Sequence, residues 1–285
     1  MLDYRKLCVI VGASCMSLSY GQTINQAPKN EAENSPKELT VGEESTSEKK
    51  ASFDVTRPWS IGVGSIFSPN PYKSSDDKVL AFPMVAYKGE NLRVLGPYVG
   101  YKFLGNQVAS LSVDAFLYPQ VFDPDSSSDP QLQKLDERHY MVMGGLSGKL
   151  QTPYGRFQAG VNMDLTAGTT GIMMNFQYLK AFVFESGKHM FITTPGIGVQ
   201  WTQDKILDYY YGVSASESAR SGLNEYHPDS AFSPYLSLSL MYRYNKRWAV
   251  TGAFRLNQLP KTVTDSPMVG QTYVLTSALS FTYSF

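Results

Sequence analysis

Cysteine is nearly missing from this chain of 285 residues: Cys8 and Cys15 are the only two. Cleavage after Gly21 would leave a mature chain with no thiol, which excludes disulfides and thiolate metal sites. Histidine is scarce, at three. Basic and acidic side chains number 25 each, so neither sign prevails, and nothing marks nucleic acid as a partner. No stretch approaches the ~18 apolar residues of a membrane helix. Glycine-rich phosphate loops and zinc-ligand spacings are missing too. No cofactor and no metal are expected.

What is present is alternation, with nineteen tyrosines and fifteen phenylalanines. In Gln271–Phe285 the odd positions hold Tyr273, Leu275, Leu279, Phe281, Tyr283 and Phe285, and mostly Thr, Ser and Ala stand between them. A period of two with one greasy and one small polar face is a strand. In a soluble protein such an edge invites aggregation, whereas in a closed transmembrane barrel it is satisfied. Segment 156–167 repeats the pattern, with Phe157, Val161 and Met163 opposing Arg156, Gln158 and Asn162.

Residues 1–21 read as a signal peptide: Arg5 and Lys6, an apolar core from Leu7 to Leu18, and Ser19-Tyr20-Gly21 as cleavage site. Gly12-Ala13-Ser14-Cys15 is a poor lipoprotein box, since Gly12 stands where a Leu-like residue is needed. Residues 22–57 are rich in Glu, Lys, Ser, Asn and Pro and cannot bury enough surface to fold. They form a charged periplasmic leader, either a plain linker or a docking tail. Residues 58–285 are the barrel.

Strand counting follows from loop lengths. Long interruptions at 119–137, 203–230 and 259–270 alternate with tight turns at 152–155, 186–188 and 245–246. Short periplasmic turns and long outer loops are the habit of bacterial barrels, which have even strand numbers. Parity changes across Gly96-Pro97, so 92–103 splits into two strands. The expectation is an all-β, antiparallel transmembrane barrel of twelve strands, with ten as the alternative and both termini periplasmic. A soluble sandwich shares the alternation, but segments of ~9–11 residues with aromatics at their ends favour the barrel.

Residue spacing offers little chemistry. His139 and His189 stand at strand ends. His227 has Glu225 and Asp229 nearby, without an ordered nucleophile or oxyanion donor. Ser214 to Ser221 read as loop solubilisers. The chain is not expected to be an enzyme. Eight charged residues fall on the inward parity and are candidates for the lumen: Arg93, Lys102, Asp114, Lys149, Arg156, Asp164, Arg243 and Arg255. They would line a narrow channel or pair across the interior. Tyr209, Tyr210, Tyr211 and His227 are candidates for outer-loop interaction, the tyrosines as plug, sticky patch or aromatic girdle.

Particular stretches carry a family resemblance. They are Trp59-Ser-Ile-Gly-Val-Gly64, Pro83-Met-Val-Ala-Tyr-Lys-Gly89, Gly100-Tyr101-Lys102, Asp208-Tyr-Tyr-Tyr-Gly-Val213, Ser216-Glu-Ser-Ala219 with Tyr226, Trp248, and Ser266-Pro267-Met268-Val269 before the terminal Phe. From Trp59 to Phe285 the chain resembles the MltA-interacting protein family, also called MipA/OmpV, of Gram-negative outer membranes. That resemblance implies a scaffold for a murein synthase and a lytic transglycosylase. It also implies, as an alternative, a surface adhesin with a stress-response role, while the mixed charges of the lumen leave a narrow outer-membrane channel as another. Outer-membrane lipid and the barrel-assembly machinery are the other implied partners. Tyr273, Phe281, Tyr283 and Phe285 resemble the C-terminal signal that this machinery reads.

Overall fold

The computed structural model describes residues 58–166 and 168–285. The signal peptide and leader assigned to 1–57 lie outside them. The chain forms one antiparallel sheet that closes on itself. It starts with β1 (Trp59–Ser68), β2 (Lys78–Lys88), β3 (Leu92–Leu95), β4 (Tyr98–Gly105) and β5 (Ala109–Tyr118). Then come β6 (Met141–Thr152), β7 (Gly155–Asp164), β8 (Ile172–Leu179), β9 (Phe182–Ser186) and β10 (His189–Thr202). The last strands are β11 (Ala231–Tyr244), β12 (Trp248–Gln258) and β13 (Tyr273–Ser284). Closure is made by β13 against β1, from Ser60↔Ser284 to Phe67↔Ser277.

Thirteen strands make twelve staves. Strands β8 and β9 run in the same direction along the same edge of β10. They are divided where Lys180 donates to the Pro195 carbonyl, because proline has no N–H to return the bond. The alternation of 171–184, which reads as one strand, passes through this break unchanged. The split at Gly96-Pro97 is a true hairpin, with Leu95 opposite Tyr98 and Gly96 in the left-handed region at φ 53°.

Parity sorts the side chains. On β1 and β13, Ile61, Val63, Leu279 and Phe281 are exposed, while Ser60, Ser280 and Thr282 are buried. Exposed apolar side chains on every stave form a continuous outer band, which is the pattern of a wall that meets lipid. A soluble sandwich would cover this face with a second sheet; here the sheet curls and covers only its polar face. Among the described residues no helix is long and apolar enough to cross a membrane.

The two ends differ. At the turn end, staves are joined by a few residues, as at 187–188 and 245–247, and the Phe285 amide donates to the Trp59 carbonyl. At the loop end lie long connections that contain helices. The segment 203–230, expected as plain loop, folds into α1 (Asp204–Tyr211) and α2 (Ala215–Ser221), and α3 (Lys261–Thr264) lies before β13.

Candidate functional site

The loop end is a miniature core. Phe122, Leu132, Ile206, Tyr210, Val213 and Met268 are all within 1% of full burial, and they come from three different loops. Strand ends below supply Phe116, Met141, Met143 and Met173 to the same cluster. Short bridges stitch the loops together: Tyr72 to Val269, Ser75 to Ser127, Phe122 to Arg138 and Val213 to Tyr226. Side chains then bond to buried backbone. Tyr72 donates to the Tyr210 carbonyl at 3.1 Å, Tyr210 to that of His139 at 3.0 Å, and Ser266 to that of Tyr211 at 2.6 Å.

Two of the tyrosines expected to act at the surface are therefore corrected. Tyr210 and Tyr211 are 1% and 7% exposed, because α1 turns its apolar face down onto the barrel mouth. Burial pushes both phenols well above their ordinary range. Tyr209 is half-buried, and its hydroxyl accepts from the His139 amide at 2.9 Å. Of the roles weighed for these rings, the packing is that of a plug: Tyr210 and Tyr211 lie in the loop-end core and Tyr209 packs against it.

A buried ion pair locks this core. Arg138 meets Glu217 at 2.6 Å, and both side chains are nearly inaccessible. Glu217 also accepts from the amides of Asp136 and Ser214, completing a capping box with Ser214 at the start of α2. Burial raises the Glu217 pKa. The bonds from Ser214, Asp136 and Arg138 outweigh it and hold the carboxyl down at about 2. Sequence reading missed both partners, although Ser214-x-x-Glu217 is a capping-box spacing. Arg220 adds a contact to Asp136.

His227 stands exposed on this end. Its Nδ1 lies 2.8 Å from Asp208 and its Nε2 3.2 Å from Glu225. Hydrogen bonds to Asp208 and Glu225 raise its pKa. Asp229, its expected neighbour, instead donates its amide to Thr262. Both ring nitrogens thus lie on carboxylates. His139 and His189 sit at strand ends, exposed. Among the described residues no group of three or more His, Cys, Asp or Glu is arranged to hold a metal.

Below the cap, a polar belt crosses the interior. Arg255 on β12 donates to Asn257 (2.8 Å) and to Gln200 on β10 (3.0 Å), and it stacks 3.6 Å over the Tyr235 ring of β11. Tyr235 donates to Asn175 and Gln177 of β8 (2.9 and 3.1 Å), and Gln177 to Gln158 of β7 at 2.6 Å. Asp114 on β5 lies between Tyr98 of β4 and Ser147 of β6. Asp164 stands apart from this belt. Its carboxylate accepts from the amides and hydroxyls of Thr166 and Thr169, so it organises the connection from β7 to β8.

Nearer the turn end the interior is cationic. Arg93, Lys102, Lys149, Arg156 and Arg243 all stand on the inward parity there, as the registers of β3, β4, β6, β7 and β11 place them. Lys88 joins them. It feels the charges of Arg93, Arg243 and Lys149, and Lys149 feels those of Arg156, Arg93 and Lys102. Lys88 was not among the lumen candidates, although it carries the inward series 80, 82, 84, 86 of β2 one step further. Grouped cations between low-dielectric walls focus a positive potential at that mouth.

The chain matches the MltA-interacting protein MipA family over residues 61–285. It belongs to that family. It is 37% identical over 227 residues to the MltA-interacting protein of Escherichia coli K12, covering 80% of this chain and 90% of the relative. It is 28% identical to the putative outer membrane protein YiaT of the same organism, covering 79% and 90%. Identity to the outer membrane protein Omp26La of Vibrio anguillarum is 25%, covering 74% and 80%. With these relatives and a closed twelve-stave barrel, this MipA-family protein is an outer-membrane β-barrel.

Proposed function

We propose that this MipA-family barrel is a non-enzymatic anchor that holds murein-remodelling enzymes from its turn end, which faces the periplasm. The observation that carries the reading is the inequality of the two ends. The loop end is filled by its own core, whereas the turn end presents Lys188, Lys246 and Arg247 exposed around the cationic interior. Grouped exposed cations favour association with acidic partner surfaces. One relative is named for interaction with MltA, which supports a lytic transglycosylase as first partner; a murein synthase is the second partner of the proposal. Export by residues 1–21, tethering by 22–57, and insertion through Tyr273, Phe281, Tyr283 and Phe285 belong to the same proposal.

Immobilised full-length protein is expected to retain a purified lytic transglycosylase. The triple variant Lys188→Glu, Lys246→Glu, Arg247→Glu should lose most of that retention while migrating as a folded barrel on unheated gels. Failure of the unaltered protein to retain either enzyme overturns the proposal. Equal retention without residues 22–57 removes the leader from it.

A further inference from the structure

The barrel wall has a window. Strand β3 is four residues long and meets β2 only from Ala86↔Leu95 to Lys88↔Arg93. Above that level β2 continues for eight residues, 78–85, paired with β1 alone. On the far side β4 leaves β5 at Tyr98↔Phe116. Among the described residues, the one backbone bond reaching the open edge of β2 runs from the Gly96 amide to the Val85 carbonyl at 3.0 Å. Above, the 69–77 and 119–140 connections close the frame, through Ser75↔Ser127 and the bond from Ser128 N to Ser74 O.

Unpaired backbone facing lipid is costly, and the edge is built to limit that cost. The Lys88 amide points to β1, onto the Pro58 carbonyl, while Val85 points to the open side. Odd residues therefore direct their backbone groups into the window: Val79, Ala81 and Pro83. Pro83, the deepest of the three, has no N–H to leave bare, which is the use of proline on an edge strand. Val79 and Ala81 lie within four residues of the strand end, close to the interfacial region. At the hairpin tip opposite stands Pro97, a second residue without a donor.

Behind the window the interior is apolar. Ile66, Phe82, Met84 and Leu95 form a separate buried cluster with Ala253 and Ala278, and Leu80 packs against it. The Phe82 ring lies so near Gly64 that a Cβ there would sit 2.9 Å from it. Elsewhere the inner wall carries the polar belt and the cations, with Leu179, Ile192 and Met241 as further buried apolar side chains. Outside, the rim residues Val79, Val85 and Val99 are exposed on the lipid-facing parity. The apolar cluster is buried and stands directly behind the unpaired edge of β2, with the cap above it.

We propose that this window is a lateral port, through which an acyl chain of a membrane amphiphile enters beside Pro83 and lies against Phe82, Met84 and Leu95. The bilayer outside the rim supplies that occupant, and the polar head remains at the rim. The proposal is independent of the murein-enzyme reading.

Quenching by brominated acyl chains tests it. The three tryptophans, Trp59, Trp201 and Trp248, are replaced by Phe, and single tryptophans are introduced as Phe82→Trp, Ile192→Trp and Val63→Trp. Val63 faces lipid, and Ile192 faces inward behind a stave paired on both sides. In vesicles of brominated phosphatidylcholine, Phe82→Trp is expected to be quenched several-fold more than Ile192→Trp and to approach Val63→Trp. Equal quenching of Phe82→Trp and Ile192→Trp overturns the port. Should Phe82→Trp not fold, Met84→Trp is read in its place by the same comparison.

Discussion

The two ends of the barrel solve the same problem, joining antiparallel staves, by opposite means. At the turn end, connection is local: Asn245 and Lys246 both adopt positive φ, 49° and 57°, a geometry that matches the twist of paired strands. At the loop end, connection is tertiary: four loops share one core, and a buried ion pair ties two of them. A local turn forms with its hairpin, whereas the cap forms only when residues from Tyr72 to Val269 are together. The difference teaches where freedom remains. The turn end is short and keeps its cations accessible; the loop end has spent its surface on itself.

The largest effect is expected from deleting Phe285, whose amide ties the last stave to the first at the turn end. Most of the heat-modifiable protein should vanish from outer-membrane fractions, and normal insertion of the truncation would refute the role assigned to it. Next, Glu217→Ala leaves Arg138 buried without its carboxylate, a loss of about 3–5 kcal/mol to the cap. Protease should then cut within 203–230 while the barrel still migrates as folded. Simultaneous loss of both would show that cap and wall are one unit.

Acid should reach the same lock more gently. The Glu217 carboxyl is held at about 2 against an ordinary 4.5. Its contribution is fully present above pH 4.5 and is lost as pH falls through the window down to about 2. Loop protease sensitivity should rise across that range in the native protein and stay flat in Glu217→Gln. At the turn end, Lys246→Gly relieves a left-handed side chain and should stabilise by less than about 1 kcal/mol, measured by denaturant midpoint. The smallest effect belongs to His227, whose raised pKa adds stability below its ordinary 6.5 and loses it as pH rises through the folded value. Being exposed, it should leave the midpoint almost unchanged in His227→Ala, and hydrolase assays should be equally indifferent.

The wall was legible in the sequence and the cap was not. Period-two patterns such as 156–167 report parity directly, because a strand residue sees only two environments. The parity change at Gly96-Pro97 even located a hairpin. The break at Lys180–Ala181 left no trace, since its cause, Pro195, lies on the neighbouring stave. Tyr209 to Tyr211 looked like surface aromatics because nothing local says that α1 packs over a barrel mouth. The Arg138–Glu217 pair spans two loops, and only its capping-box half was written in the order of residues. The window was hidden for a similar reason: Pro83 marks an open edge only once the short β3 beside it is known.

Planar-bilayer recording of the purified full-length protein tests the central claim most directly. A barrel sealed at its loop end by its own core should insert and show no steady open steps in either polarity. Sustained conductance steps from the unaltered protein would contradict the sealed cap and the anchor built on it.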